Sequence, residues 1–89
     1  MRIKEGFVLR EVAGQIVVIA TGEASKGFHG MIKLNATGKD IWMALSEGKQ
    51  ESEIVSGLQA KYQIELEQVE QDVKEFISQM TELGFLVNE

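Results

Sequence analysis

The chain has no cysteine and no proline. Without cysteine there can be no disulfide framework and no thiolate metal site. The core must hold by packing alone, as in proteins of a reducing cytosol. Without proline there is no proline-rich linker, and no low-complexity tract or internal repeat interrupts the 89 residues. Histidine occurs once, as His29, so a transition-metal site would need carboxylates gathered around a single imidazole. No run approaches the roughly 18 apolar residues of a membrane span. Met1 to Gly6 carry Arg2 and Lys4 with no long apolar run behind them, so no targeting segment is expected. The sequence therefore reads as soluble and cytoplasmic, with no membrane partner. Basic residues are also scarce, nine against fourteen acidic for a net charge of -5. That balance repels a polyanion unless positive charge is concentrated on one face, so no nucleic-acid partner is expected. A chain this short supports a single domain over residues 1–89, with a modest core and little room for an enclosed active site.

What is present divides into a strand half and a helix half. Residues 7–12 (FVLREV) and 15–20 (QIVVIA) are β-branched or aromatic runs separated only by Ala13 and Gly14, the spacing of a tight hairpin with positive φ at Gly14. After the polar stretch 21–26 comes FHGMIKLN, a third strand. Phe28, Ile32 and Leu34 fall on one face, and His29, Met31 and Lys33 on the other. Gly30 within it suggests a bulge or a close backbone approach. Asn35 stands where an N-cap belongs, ahead of the stripe Ile41, Trp42, Leu45, and Gly48 ends that helix. Residues 51–62 form a second helix carrying Ile54, Val55, Leu58 and Tyr62, weakened by Gly57. Residues 66–83 are the best-marked helix, with Val69, Val73, Phe76, Ile77, Met80 and Leu83 at three-four spacing. Gly84 at C′ and Phe85 at C″, in reach of Met80 at C3, predict a Schellman end. Leu86 and Val87 then read as a short apolar tail.

Catalytic chemistry is hard to find in these residues. His29 would have to serve Ser25, Ser46, Ser52 or Ser56 across the fold, and none of them sits in a nucleophile motif. Gly27 and Gly30 are not spaced as a phosphate loop. The pairs Glu51/Glu53 and Glu65/Glu67 are most simply helix-start residues that favour the macrodipole. The residues therefore predict a non-enzymatic binding module, with no cofactor and no metal.

Taken in order, Leu34-Asn35, Thr37, Ile41-Trp42, Leu45, Glu53-Ile54, Leu58, Tyr62, Val69, Asp72-Val73, Phe76, Leu83 and Gly84 resemble the PqqD family. These are small chaperones for the leader segments of ribosomally made, modified peptides. The pattern spans residues 30–86, and the preceding hairpin also fits. Where relatives commonly carry a serine cap, a glycine and an Asp-Pro helix start, this chain has Gln50, Gln63 and Glu65-Leu66. The resemblance implies an α+β fold, a three-stranded antiparallel sheet followed by three helices, winged helix-turn-helix-like. It also implies a leader peptide held by β-augmentation in a groove between the third strand and the third helix, and a modifying enzyme as second partner, a radical SAM protein. On that basis Met31, Ile32, Lys33 and Leu34 offer the strand side of the groove. Val73, Phe76, Ile77 and Met80 line or support the helix side. Met31 stands out as a flexible thioether on an otherwise polar strand face. Trp42 reads as a core anchor.

Two other classes remain open at the level of sequence. A winged-helix DNA regulator is disfavoured because residues 66–83 hold Glu67, Glu70, Asp72, Glu75 and Glu82 against Lys74 alone. A self-associating module, monomer or weak homodimer, would pair the exposed third strand with its own copy.

Overall fold

The computed structural model describes residues 1–22, 24–27 and 31–87. Two sheets and four helices follow one another as β1 (Arg2–Ile3), β2 (Phe7–Val12), β3 (Gln15–Ala20), α1 (Ala24–Gly27), β4 (Met31–Leu34), α2 (Ala36–Ser46), α3 (Glu51–Tyr62), α4 (Leu66–Glu82) and β5 (Leu86–Val87). The three-stranded antiparallel sheet has the order β2-β3-β4 and precedes the three longer helices, the α+β arrangement expected from sequence. β1 and β5 form a separate antiparallel pair, Arg2 opposite Val87 and Ile3 opposite Leu86. Neither of these strands is predicted above, nor is the one-turn α1 inside the polar stretch. The expectations placed on Phe28, His29 and Gly30 lie outside the described residues.

Ala13 and Gly14 form the two-residue loop of the β2-β3 hairpin, with Val12 opposite Gln15. Both have positive φ, +52° and +79°, as the right-handed twist of a tight hairpin demands. Register then sorts the sheet into two faces. Leu9, Val18 and Ile32 stand side by side on one face, with Phe7 and Leu34 on the same side. Val8, Arg10, Val12, Val17, Ile19, Met31 and Lys33 occupy the other. The helices cover the first face. Val18 joins Ile41, Trp42, Leu45, Ile54, Val55, Leu58, Val69, Val73, Met80, Phe85 and Leu86 in one buried cluster, with Phe7, Leu9, Ile32, Leu34 and Phe76 packed against it. Trp42 is 2% exposed, a core anchor as its position in the stripe suggests.

Helix boundaries follow local chemistry. Asn35 Oδ1 accepts from the N–H of Gly38 at 2.7 Å and caps α2. At the other end of the helical half, the N–H of Phe85 reaches the Met80 carbonyl at 2.9 Å and that of Gly84 reaches Thr81 at 3.0 Å. This is the predicted Schellman closure.

A polar latch ties α2 to α3. The Tyr62 hydroxyl donates to Asp40, and Lys61 Nζ lies 3.1 and 3.0 Å from the two Asp40 oxygens. Partial burial opposes ionisation of Asp40, but the bonds from Tyr62 and Lys61 and the nearby Lys61 and Lys39 charges outweigh it and hold the carboxyl below its ordinary value. A carboxyl lowered on folding adds stability above the unfolded pKa of about 3.9 and loses it as pH falls through the folded value. Asp40→Asn should therefore cost about 1 kcal/mol at neutral pH. The gap to the parent should close as the pH drops below about 4. Urea unfolding of both proteins at a series of pH values measures this, and a gap that stays constant would mean the ionised carboxylate is not its source.

Candidate functional site

β3 is paired on both sides, which leaves β4 with one open edge. Among the described residues, no backbone hydrogen bond outside the β3 ladder engages Met31–Leu34. Half of the N–H and C=O groups of such a strand point away from its partner, where another extended chain could accept and donate. β2 is the other edge and borders a smaller hollow lined by Leu9, Arg10, Glu11, Ile16 and Lys39, whereas the two adjoining hollows lie beside β4.

The surface beside β4 is built from that strand, the first turn of α2 and one stripe of α4. A hollow of about 190 Å³ is lined by Ile32, Lys33 and Leu34 from the strand and by Phe76, Gln79 and Met80 from α4. A second, of about 240 Å³, is lined by Thr37 and Ile41 of α2 and by Asp72 and Glu75 of α4. Asn35, Gly38, Phe76 and Gln79 line both hollows, so the two form one groove. Its β4 half sets Ile32, Leu34, Phe76 and Met80 among the polar groups of Lys33, Asn35 and Gln79, and its far half adds the carboxylates of Asp72 and Glu75.

The junction LNATGKDIW produces this shape. Asn35 is extended at φ -83°, ψ -179°, so the chain passes from strand to helix with one capping residue between them. Gly38 then lies on the groove floor. A Cβ at that position would sit 3.3 Å from Phe76 Cε2 and 3.2 Å from Asn35 Oδ1, closer than a side-chain carbon normally approaches. The absence of a side chain lets α2 and α4 meet at Phe76. On α4, Val69, Val73 and Met80 are buried in the core. Fixing that stripe turns the neighbouring one, Asp72, Phe76 and Gln79, toward β4. Asp72 is half-buried and Glu75 exposed. Each carboxylate accepts from the glutamine one turn earlier, Gln68 to Asp72 at 2.9 Å and Gln71 to Glu75 at 3.1 Å.

Of the residues singled out from sequence, Ile32, Lys33, Leu34, Phe76 and Met80 come together in the groove lining. Val73 is wholly buried behind it, and half-buried Ile77 packs against the core without lining either hollow. Met31 is 54% exposed and stands on the outer face of the sheet, away from α4. Sequence reasoning missed Thr37, Gly38, Ile41, Asp72, Glu75 and Gln79 as lining residues, and took Asn35 only for a cap. A glycine three residues after that cap was the available signal of close approach.

The hydroxyls of Ser25 and Ser46 donate to backbone carbonyls, of Gly22 at 2.6 Å and of Trp42 at 2.9 Å. Ser52 and Ser56 border a separate hollow between α3 and α4. Among the described residues no group of three or more His, Cys, Asp or Glu could hold a metal ion, and no helix is long and apolar enough to cross a membrane.

Comparison with known proteins gives the family and the fold. The family described as coenzyme PQQ synthesis protein D (PqqD) matches residues 5–86. The structure of TbiB1 in complex with the TbiA(beta) leader peptide is 26% identical, with a TM-score of 0.80 over 100% of this chain and 98% of that one. A lasso peptide synthetase B1 complexed with the leader peptide shares the fold, with a TM-score of 0.78 at 17% identity over 98% of this chain and 96% of that one. No curated protein matches.

Asn35→Ala should remove the cap and lower stability by about 1 kcal/mol, while Asn35→Asp should keep most of it. Urea denaturation of the three proteins checks the pair. Equal loss in both variants would mean that the side-chain bond to Gly38 does not hold the junction.

Proposed function

This chain belongs to the PqqD family, and on that premise we propose that it is a non-catalytic chaperone for the leader segment of a ribosomally made precursor peptide. The observation that carries this reading is the open edge of β4 directly beside a groove in which Ile32, Leu34 and Phe76 are set among polar groups. An extended peptide added to that edge gains backbone hydrogen bonds from the strand and side-chain pockets from the groove. The relative at 26% identity is itself seen with a leader peptide. In our reading the bound peptide is then presented to a modifying enzyme, a radical SAM protein.

β-Augmentation also assigns the side chains. β4 is four residues long, roughly 13 Å of extended chain, so it pairs with about four residues of the peptide. Successive side chains of an added strand alternate between faces. Those on the inner face meet Ile32, Leu34 and Phe76, with buried Met80 closing the hollow behind them. The alternate ones lie over the outer face beside Met31 and Lys33. Val73 and Ile77 support α4 from behind. Because the groove walls are set by the core, little ordering is lost on binding. The acidic surface of α4, five carboxylates to one lysine, argues against phosphate-backbone partners.

Isothermal titration of the leader segment of a precursor encoded beside the gene tests the proposal, with circular dichroism and thermal unfolding as controls. Ile32→Pro removes one strand N–H, and the folded variant should lose binding. Phe76→Asp places a charge between Ile32 and Leu34 and the groove floor and should lower affinity by about 1–3 kcal/mol, a five- to hundredfold loss. Met31→Asp reports on the outer face, with a smaller loss expected. Full binding by folded Ile32→Pro and Phe76→Asp would sink the groove. A dimer that sediments at micromolar concentration and disappears in Ile32→Pro would instead favour self-pairing of the edge.

A further inference from the structure

The groove differs in character along its length. Its β4 half presents Ile32, Leu34, Phe76 and Met80 together with Gln79 and the one cation of the lining, Lys33. Its far half ends on Asp72 and Glu75, and no lysine, arginine or histidine lines it. Neither carboxylate makes an ion pair among the described residues, and their side-chain partners are the neutral amides of Gln68 and Gln71. Those amides come from the preceding turn of α4 and orient the carboxylates without neutralising them. Asp72 lines the hollow together with Phe76, so a cation entering there would meet its carboxylate. A cation entering there would also lie near the aromatic ring, whose face favours positive charge. The chain as a whole carries a net charge of -5, a field that draws a cationic segment toward it.

We propose that the groove selects peptides that carry a basic side chain for Asp72 and Glu75 at a fixed distance from the apolar side chains taken up by Ile32, Leu34, Phe76 and Met80. This rests on the leader-binding reading and adds to it a second specificity determinant. The spacing follows from geometry. Asp72 and Met80 mark the two ends of the groove on α4, eight residues or roughly 12 Å apart along the helix axis. An extended peptide covers that distance in about four residues. Inward-facing side chains recur every second residue, so the basic residue falls two or four positions from an apolar one. Asp72 and Glu75 thereby set the register in which the peptide lies against β4, since sliding it by two residues would remove the cation from the carboxylates.

The experiment selects a displayed library of random peptides against the whole chain and, in parallel, against the Asp72→Asn/Glu75→Gln variant. The expected result is an apolar pattern of period two enriched on both proteins, with lysine or arginine enriched at one fixed position on the parent only. A synthetic copy of an enriched peptide should then lose about two- to fivefold in affinity when its basic residue is replaced by norleucine. The double variant should bind both peptides alike, and the difference on the parent should shrink as salt is raised. A merely structural role for the two carboxylates would instead weaken both peptides equally and leave the difference intact. Apolar enrichment without a basic position, or a basic preference that survives in the variant, would overturn this proposal while leaving the leader-binding groove standing. Failure to enrich any aligned apolar pattern would overturn both.

Discussion

Phe85 holds the molecule together. Its ring stacks on Phe7 with centroids 4.2 Å apart and meets Trp42 edge to face at 6.3 Å. These three rings come from the start of β2, the middle of α2 and the segment just past α4, and Phe85 is completely buried among them. It arrives there because the Schellman end turns the chain sharply after α4. Its carbonyl then accepts from the Lys4 N–H at 2.8 Å, which leads the chain into the β1-β5 pair. Aromatic residues of this kind dominate the energetics of a small core. Truncating one costs about 3–5 kcal/mol, a large share of the ~5–15 kcal/mol that keeps a domain folded.

The groove inherits its shape from that core. α4 is anchored through Val69, Val73 and Met80, so its Asp72-Phe76-Gln79 stripe has no freedom to turn elsewhere. α2 is anchored through Ile41, Trp42 and Leu45, which fixes Gly38 beneath Phe76. β4 is held by β3 on one side and is left open on the other. A binding edge is a liability for a lone domain, because it also invites pairing with other copies. Here the strand carries Lys33, a charge that limits unwanted pairing.

The ends of α3 lie away from the groove. Gln63 adopts a left-handed φ of +55°, a conformation that costs a side-chain-bearing residue about 1–2 kcal/mol. The backbone N–H of Gln50 is satisfied by Glu53 Oε1 at 3.1 Å. Glu65 enters α4 in an extended conformation without a proline behind it. The turn between α3 and α4 therefore keeps its course, and the Asp40 latch steadies the neighbouring α2-α3 contact.

Local chemistry made much of this readable from the chain. The hairpin at Ala13-Gly14, the Asn35 cap, the stripes of the three long helices and the Gly84-Phe85 closure each depend on residues within a turn or two of one another. Their signals survive without any knowledge of the rest of the fold. The order and spacing of the whole pattern from Leu34-Asn35 through Ile41-Trp42 and Phe76 to Gly84 also pointed to the family. The β1-β5 pair was not readable, because two residues at each end of the chain carry no periodic pattern and meet only once the core has drawn the termini together. Nor was the lining of the groove. Period-two alternation correctly separates Met31 from Ile32 and Leu34, yet it cannot say which face α4 will approach. Asp72, Glu75 and Gln79 look in sequence like any solvated helix face. They become the wall of a groove only because burial of Val73 and Met80 sets the rotation of α4, and that rotation is a property of the packed core as a whole.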